Sequence, residues 1–379
     1  MARLRVDIPR SSSRRLRETS DANSPSGSPE GAPWPACDIL NTTFSFYRTS
    51  PLFVGQHGLS EDRLRALEAQ LLDILTGESA RGIEFGLAED RDSSMGNAGV
   101  LETVAIEWVS ADKIVATSQP ALQMILQYEN AQCVAILLPV PETPRTANGA
   151  AADPGDAFLS LPLLLLKMPT PLKAIVVRFL STTFDSRIIA LHLTSRDIIR
   201  SWESWASATA LPTDGPIAKD VVVTLAFNLS ERRGVGISGE KQLSEDAAGP
   251  TLAKSTVLTT GTSQSSESTD IGLRTIDVSI PNTDLGRFLK AGQHLESDSD
   301  DRRGAPFTTA LALYLKSHLG LDLFNPAVEV ARVACGGFVL SMNRVKIFGF
   351  SGSVSNPALN QHQSVIPQIF GDLVLRSLA

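Results

Sequence analysis

Apolar residues recur along the chain with two different periods, and each period predicts one kind of element. The strongest helical pattern begins after Ser60, a suitable N-cap, and ends at Gly77. Its apolar residues lie three or four positions apart and form one face: Leu64, Leu67, Leu71, Leu72 and Leu75. Alternation of apolar and polar residues predicts strands, as around Phe44 and Phe46. From residue 38 onward, strand and helix patterns follow one another along the chain.

The order of these patterns predicts an α+β fold with two curved, mixed or antiparallel sheets and packed helices. Ser, Gly, Pro, Ala and charged residues dominate three further stretches, which hold too little apolar surface to fold on their own. We predict these segments: a disordered basic arm at 1–37, an N-terminal α/β domain at 38–208 with a flexible insertion at about 139–157, a β-rich C-terminal domain at 209–350 with a disordered insertion at about 231–269, and a tail at 351–379.

The end of the C-terminal domain predicts a hairpin whose outer strand has no evident neighbour. In VEVARVACGGFVLSMNRVKIFGF (328–350), apolar residues recur at strand spacing and are interrupted by Gly-Gly and by Met-Asn. An unpaired strand edge is a template for strand addition by another chain, so this hairpin is the best candidate interface of a scaffold or binding protein. A short apolar helix in the tail, around Ile366 and Phe370, is the alternative cover.

Charge and composition indicate which functional classes of protein the sequence fits. The net charge is −7, but residues 1–20 carry six arginines against Asp7 and Glu18, so the rest of the chain is acidic. An acidic body argues against the alternative of a solitary nucleic-acid-binding protein. The basic arm is either unstructured, with or without a nuclear-import role, or a DNA or RNA contact, or an organelle-targeting signal. The longest apolar runs are shorter than the ~20 residues that span a bilayer, and no apolar signal-peptide core follows Met1, which predicts an intracellular protein.

The reactive residues predict no catalytic, metal or cofactor site. The three cysteines and five histidines are scattered, and Cys335 lies in a strand pattern typical of a packed thiol rather than a nucleophile. Gly234, Gly236 and Gly239 match G-x-G-x-x-G and precede Lys241. However, Ser-Glu-Arg-Arg separates them from the preceding strand, whereas a dinucleotide loop passes directly from strand to helix. A nucleotide-dependent enzyme using this loop is therefore the alternative to a non-enzymatic protein.

Two further sets of residues each allow a structural and a functional interpretation. Trp202 and Trp205 share one helical face, which indicates either core packing or a hot spot for a partner. Basic residues in the middle of the chain form either ordinary surface or a groove that follows phosphates. The candidates for DNA contact are Lys173, Arg178, Arg187, Arg196 and Arg200.

Three long stretches remain when the insertions are set aside. They are DILNTTFSFYRTSPLFVG with the helix and ARGIEFGLA after it, then KMPTPLKAIVVRFLSTTFDSRIIALHLT, and finally VARVACGGFVLSMNRVKIFGF. Together they resemble the fungal branch of the centromere protein L (CENP-L) family. The resemblance covers about residues 38–350, so we expect the tail at 351–379 to extend past the usual end of the family.

The resemblance implies a non-enzymatic structural subunit of the constitutive inner kinetochore, located at centromeres in the nucleus and acting in chromosome segregation. Family members have two α/β parts with saddle-like sheets, and they pair with CENP-N through the C-terminal sheet or, in some members, form homodimers. Residues 209–350 would then be the dimerisation domain, and no cofactor is expected. The positions that match the pairing element are Val328, Val330, Arg332, Val333, Phe338, Val339, Leu340, Val345, Ile347 and Phe348. The pair helps to dock the kinetochore on CENP-A chromatin and forms a basic channel for DNA, to which the five basic residues above would contribute.

Overall fold

A computed structural model describes residues 38–80, 98–142, 157–227, 274–296, 305–350 and 357–378. The helices in these ranges are α1 (Glu61–Ala80), α2 (Asp112–Val115), α3 (Thr170–Thr183), α4 (Ser195–Thr209), α5 (Asn282–Glu296), α6 (Pro306–Leu319) and α7 (Pro357–Leu378). The strands are β1 (Thr43–Thr49), β2 (Leu52–Phe53), β3 (Leu101–Ser110), β4 (Pro120–Tyr128), β5 (Gln132–Leu138), β6 (Phe158–Leu159), β7 (Leu163–Lys167), β8 (Ile188–Ala190), β9 (Val221–Phe227), β10 (Thr275–Ile280), β11 (Val328–Ala334), β12 (Phe338–Ser341) and β13 (Arg344–Ile347).

Eleven strands form one mostly antiparallel sheet in the order β10-β9-β11-β12-β13-β1-β7-β5-β4-β3, and β8 pairs with β1 beside this path. A second, two-stranded sheet joins β2 to β6. Together with the helices, these sheets confirm the α+β prediction. Strands from the two predicted domains meet in the large sheet, where β1 pairs with β13. The domain boundary near residue 208 stays a prediction.

Apolar side chains cover both faces of the large sheet in its N-terminal part. Successive residues of β5 and β7 alternate between two cores, with Ile136 and Leu165 in one and Leu137 and Leu164 in the other. Helices α2, α4, α5, α6 and α7 contribute to the first core, on the side that we call the helical face. Helices α1 and α3 contribute to the second core, on the opposite side. The sheet is therefore the middle layer of three at this end.

The second face is covered over only part of the sheet. Among the described residues, none of β9 to β13 belongs to the core under α1 and α3. The side chains that these strands direct away from the helical face are partly or fully exposed. We call this surface of β9, β10, β11, β12 and β13 the open face. No apolar core of the described residues covers this side of the C-terminal strands.

Local sequence explains where two of the helices begin. Pro171 lies in the first turn of α3, where the missing N–H of proline costs no intrahelical hydrogen bond. The N-cap of α4 is Thr194 and not the neighbouring Ser195, because Thr194 and Asp197 form a capping box in which each side chain accepts from the other residue's backbone N–H. The hydroxyl of Ser195 instead accepts from Val330 N on β11 (3.0 Å). The start of α4 is thereby fixed to the C-terminal strands.

Several predicted segments lie outside the described residues. They are the basic arm at 1–37, most of the insertion at 139–157, the insertion at 231–269 with its glycine motif, and residues 81–88 of the first stretch that resembles the family. Within the described ranges, no helix is both long enough and apolar enough to cross a membrane.

Candidate partner interface

The predicted terminal hairpin lies inside the large sheet rather than at its edge. β13 pairs antiparallel with β1, where Phe44 is opposite Val345, and β11 pairs with β9 on the other side. Asn41 reinforces the first of these contacts, since its backbone N donates to Ile347 O (2.7 Å) and its side-chain oxygen accepts from Gly349 N (3.0 Å). The expectation of an unpaired hairpin edge is therefore wrong. A strand about 300 residues earlier in the chain occupies that edge.

Seven of the ten predicted interface residues face the helical core. Val328 is partly buried there, and six others are at most 3% exposed: Val330, Val333, Phe338, Leu340, Val345 and Ile347. The remaining three, Arg332, Val339 and Phe348, alternate with these buried positions and lie on the open face. The structure thus separates residues that build the sheet from residues that a partner can reach. Contact with a partner stays a prediction.

Helix α7 covers the hairpin from the helical face. Trp205 on α4 packs edge-on against Phe338, with ring centroids 5.9 Å apart, and donates from Nε1 to His362 Nδ1 on α7 (3.1 Å). Because Nδ1 accepts, Nε2 of neutral His362 carries the hydrogen and donates it to Phe348 O (2.9 Å). Trp202 stacks on Trp205 and both are buried, so the tryptophan pair is part of the core. The predicted tail helix therefore covers a face of the hairpin and not its edge.

Acidification is expected to destabilise the protein through His362. Burial lowers the pKa of His362, and its hydrogen bond to Phe348 opposes that effect only in part. The unfolded chain has the ordinary histidine pKa of about 6.5 and takes up the proton first. The contribution of His362 to the free energy of unfolding is therefore complete above about pH 7 and falls as the pH drops through about 6.5. Chemical denaturation at about pH 7.5 and about pH 5.5 measures this loss.

A matched pair of histidine variants isolates the effect. The variant His362→Gln should lose part of the pH dependence, whereas His318→Gln, at an exposed position of α6, should retain all of it. An identical loss of stability on acidification in the His362→Gln variant and the unmodified protein would show that another group is responsible.

Helix α1 occupies one backbone donor on the outer edge of β3. Helix α1 packs against β3, and Glu68 Oε1 accepts from Ile106 N at a distance of 2.7 Å. This bond occupies a donor that faces away from β4, the neighbouring strand. A carboxylate on an overlying helix is one way in which proteins protect a sheet edge from further pairing.

The outer edge of β10 has no such cover in the part of the chain that the structure describes. Residue pairs along an antiparallel ladder are alternately hydrogen-bonded and not hydrogen-bonded. Phe227 N donates to Arg274 O, so Phe227 and Arg274 are a hydrogen-bonded pair of the β9–β10 ladder. In that alternation, the N–H groups of Thr275, Asp277 and Ser279 point away from β9. No described strand pairs with that side of β10. Among the described strands of the C-terminal sheet, β10 is therefore the one with an unpaired edge.

The open face beside this edge carries cations and an aromatic ring. The guanidinium of Arg332 on β11 lies 3.9 Å from Asp277 on β10, so an exposed ion pair spans the intervening strand β9. Lys346 and Lys219 lie 5.6 and 5.9 Å from the centroid of the Phe348 ring, within cation–π distance. The face thus combines positive charge with apolar surface.

The five predicted DNA-contact residues do not form one groove. Lys173 and Arg178 lie on α3, whereas Arg196 and Arg200 lie on α4, across the sheet, and Arg187 directly precedes β8. A continuous path for a phosphate backbone would have to pass around the sheet to touch all five. Contact with DNA stays a prediction for each residue.

Two of these basic residues have acidic neighbours that reduce their attraction for phosphate. Arg178 forms an ion pair with Glu78 on α1 (3.0 Å). Arg200 lies near Asp372 on α7, where burial raises the pKa of the carboxyl and the positive charge of Arg200 opposes that rise. Both arginines therefore contribute to contacts between helices.

The described thiols are poor nucleophiles. Burial raises the pKa of Cys133 to about 11 and that of Cys335 to about 12, so both thiols stay protonated at neutral pH. Cys335 is a packed thiol, and its sulfur accepts from Phe338 N (3.4 Å). The glycine motif of the alternative enzymatic interpretation lies outside the described residues.

Comparison with known proteins identifies one family. A family model described as centromere protein L (CENP-L) matches residues 38–378, which is most of the chain. No curated protein matches the sequence. The family match includes α7, so the expectation that the tail extends past the family's end is wrong.

Proposed function

Because this chain belongs to the centromere protein L family, a family of structural kinetochore proteins, we propose that it is a non-enzymatic subunit of the constitutive inner kinetochore. Family membership supports a location at the kinetochore and the centromere, and we propose a specific role there. The protein pairs with a CENP-N-like subunit in the nucleus and, together with it, links centromeric chromatin to the kinetochore during chromosome segregation.

The observation that supports pairing is the accessible edge of β10. Three N–H groups point outward along this edge, whereas on the opposite edge of the same sheet Glu68 on α1 accepts from one outward N–H, that of Ile106. A partner strand added to β10 would form main-chain hydrogen bonds that give affinity, and neighbouring side chains would give specificity. We therefore assign strand addition to β10 rather than to the hairpin itself.

The open face supports a second part of the same contact. Arg332, Val339 and Phe348 lie there and are the predicted interface residues that a partner can reach. The seven predicted residues on the helical face pack in the core between the sheet and the helices. Loss of one of those seven would act on the partner indirectly, through the stability of the sheet.

We also propose that this protein and its CENP-N-like partner together contact centromeric DNA. Lys173 is the best placed of the five basic residues, because its Nζ donates to Ser45 Oγ on β1 (3.0 Å), next to the open face. Arg344 and Lys346 add positive charge on β13 of the same face. Lysine and arginine contacts to phosphates release counterions, so this binding should weaken steeply with salt. A loss of duplex-DNA affinity in a Lys173→Gln variant tests this contact.

Imaging of the tagged protein tests the proposed function most directly. The protein is expressed from its own locus with a fluorescent tag and imaged together with the centromeric histone. Persistent nuclear foci that coincide with that histone are the expected result, because a constitutive subunit remains at the centromere through the cell cycle. A diffuse cytoplasmic or mitochondrial signal would contradict the proposal.

A further inference from the structure

A pocket on the helical face has two arginines that the proposed function does not use together. It lies where β1, β8 and the end of α7 meet, is open to solvent, and has a volume of about 270 Å³. Arg48 and Arg187 contribute its charged lining, and Ser50, Ile189 and Leu378 contribute hydroxyl and apolar surface. Neither the open face nor the β10 edge includes this pocket.

The strand register places both guanidiniums at the same pocket. β1 pairs antiparallel with β8, where Arg48 is directly opposite Ile189. Arg187 lies two residues before Ile189, so its side chain leaves the strand on the same side and is the diagonal neighbour of Arg48. Two hydrogen bonds fix this arrangement: Ser50 N donates to Arg187 O (3.0 Å), and Arg187 N donates to Ser50 Oγ (2.9 Å).

The charge of this pair of arginines is not neutralised by the described residues. Within the described ranges, no carboxylate forms an ion pair with Arg48 or Arg187. Other arginines differ, since Arg178 pairs with Glu78 and Arg376 lies 2.6 Å from Asp197. Two like charges at diagonal positions of a sheet repel each other, and a bound anion would remove that repulsion.

We propose that the Arg48–Arg187 pocket binds a phosphate monoester carried by a phosphorylated serine or threonine of a protein partner. A phosphoserine carries close to two negative charges at neutral pH, which matches two guanidiniums. Each guanidinium presents a planar fork that bonds two phosphate oxygens at once. The hydroxyl of Ser50 accepts from Arg187 N and keeps its own hydrogen to donate to a third oxygen.

The shape and position of the pocket favour a phosphopeptide over a nucleic acid. The apolar lining from Ile189 and Leu378 suits the aliphatic part of a peptide side chain. Each phosphodiester of DNA carries one negative charge and lies on a wide, continuous backbone, which fits a concave pocket of this size poorly. The proposed DNA contact at Lys173 also lies on the other side of the sheet, with α3. This inference goes beyond the proposed pairing.

Calorimetric titration of the full-length protein tests the proposal. The probes are a short synthetic phosphoserine peptide, the same peptide without phosphate, and a DNA duplex. The phosphopeptide should bind at least about tenfold more tightly than its unphosphorylated counterpart, and Arg48→Gln or Arg187→Gln should remove that preference. Replacement of both arginines by lysine keeps the charge but loses the planar forks, so it should also weaken phosphopeptide binding.

Two control variants separate this site from the proposed DNA contact. Arg65→Gln removes an exposed arginine of α1 and should leave binding of all probes unchanged. Lys173→Gln should weaken duplex binding but not phosphopeptide binding. Inorganic phosphate should displace the phosphopeptide from the unmodified protein more effectively than chloride does at equal ionic strength. This competition experiment does not depend on the folding of any variant.

Three outcomes would overturn the inference. One is equal affinity for the phosphorylated and unphosphorylated peptides. Another is displacement by chloride as effective as displacement by phosphate, which would indicate unspecific attraction. The last is loss of duplex binding in the Arg48→Gln and Arg187→Gln variants without an effect on the phosphopeptide, which would assign the pocket to nucleic acid. None of these outcomes bears on centromere localisation or on pairing through β10.

Discussion

A protein carrying Phe338→Asp is expected to unfold, whereas one carrying Val339→Asp is expected to stay folded. Phe338 is fully buried on the helical face, against Trp205. Truncation of a buried phenylalanine alone costs about 3–5 kcal/mol, and an unpaired buried carboxylate costs more. Together these losses approach the whole free energy of unfolding of an ordinary domain, about 5–15 kcal/mol. Circular dichroism during thermal denaturation measures the difference.

Val339 is the matched control because it is the next residue on the same strand and faces the other way. It lies on the open face, directly opposite Lys346 on β13. An aspartate at this position would remain in contact with water and lie beside a lysine, which favours a cross-strand ion pair. Unfolding of the Val339→Asp variant together with a folded Phe338→Asp variant would show that the two faces are assigned the wrong way round. A double aspartate variant of Phe338 and Ile347 would likewise report on folding and not on pairing.

The second large effect is expected at the sheet edge, where Asp277→Pro should weaken pairing with the CENP-N-like subunit. The N–H of residue 277 points away from β9, so proline removes a donor needed by an added strand without breaking a β9–β10 hydrogen bond. The ring also occupies space in which the added strand would lie. The affinity should fall by at least about tenfold. Calorimetry with the two full-length chains measures it.

Asp277→Ala is the control for this prediction. It removes the same carboxylate contacts, with Arg332 and with Thr224, but it keeps the backbone N–H. The alanine variant should therefore pair with nearly normal affinity, and the circular dichroism spectra of both variants should match that of the unmodified protein. Equal affinity of the proline and alanine variants for the partner would exclude strand addition at β10.

Local patterns predicted the elements because a period depends only on nearby residues. The leucine face of α1 is buried at Leu64, Leu67, Leu71 and Leu75, as its spacing indicated. Alternation also predicted that Phe338 and Leu340 share one side of β12. It did not show whether helices of the same chain or a second chain covers that side, since both kinds of contact select apolar residues.

The neighbours of each strand could not be predicted from local sequence. The pairing of β13 with β1 joins residues about 300 positions apart, and the sequence of neither strand specifies the other as its neighbour. A usable signal was present for β10, because TIDVSI alternates apolar residues with Thr275, Asp277 and Ser279. A charged residue in the middle of a short strand is typical of a sheet edge.

Local sequence also could not predict which basic residues lie close together in the fold. The candidate DNA residues were grouped because they are close in sequence, but α3 and α4 lie on opposite faces of the sheet. Conversely, Arg48 and Arg187 are far apart in sequence and line one pocket, because β1 and β8 are neighbours. The grouping of charges therefore depends on strand pairing, which the sequence pattern does not specify.

The position of β1 between β7 and β13 also has a consequence for synthesis on the ribosome. β1 is translated early, but β13 follows about 300 residues later, which takes roughly 15–60 s at roughly 5–20 residues per second. During that interval a nascent chain can pair β1 with β7 and β8 but not with β13. The strand in the middle of the finished sheet is thus an exposed edge in the growing polypeptide. An unpaired strand edge is a template for aggregation, so the growing chain carries that hazard until translation is nearly complete.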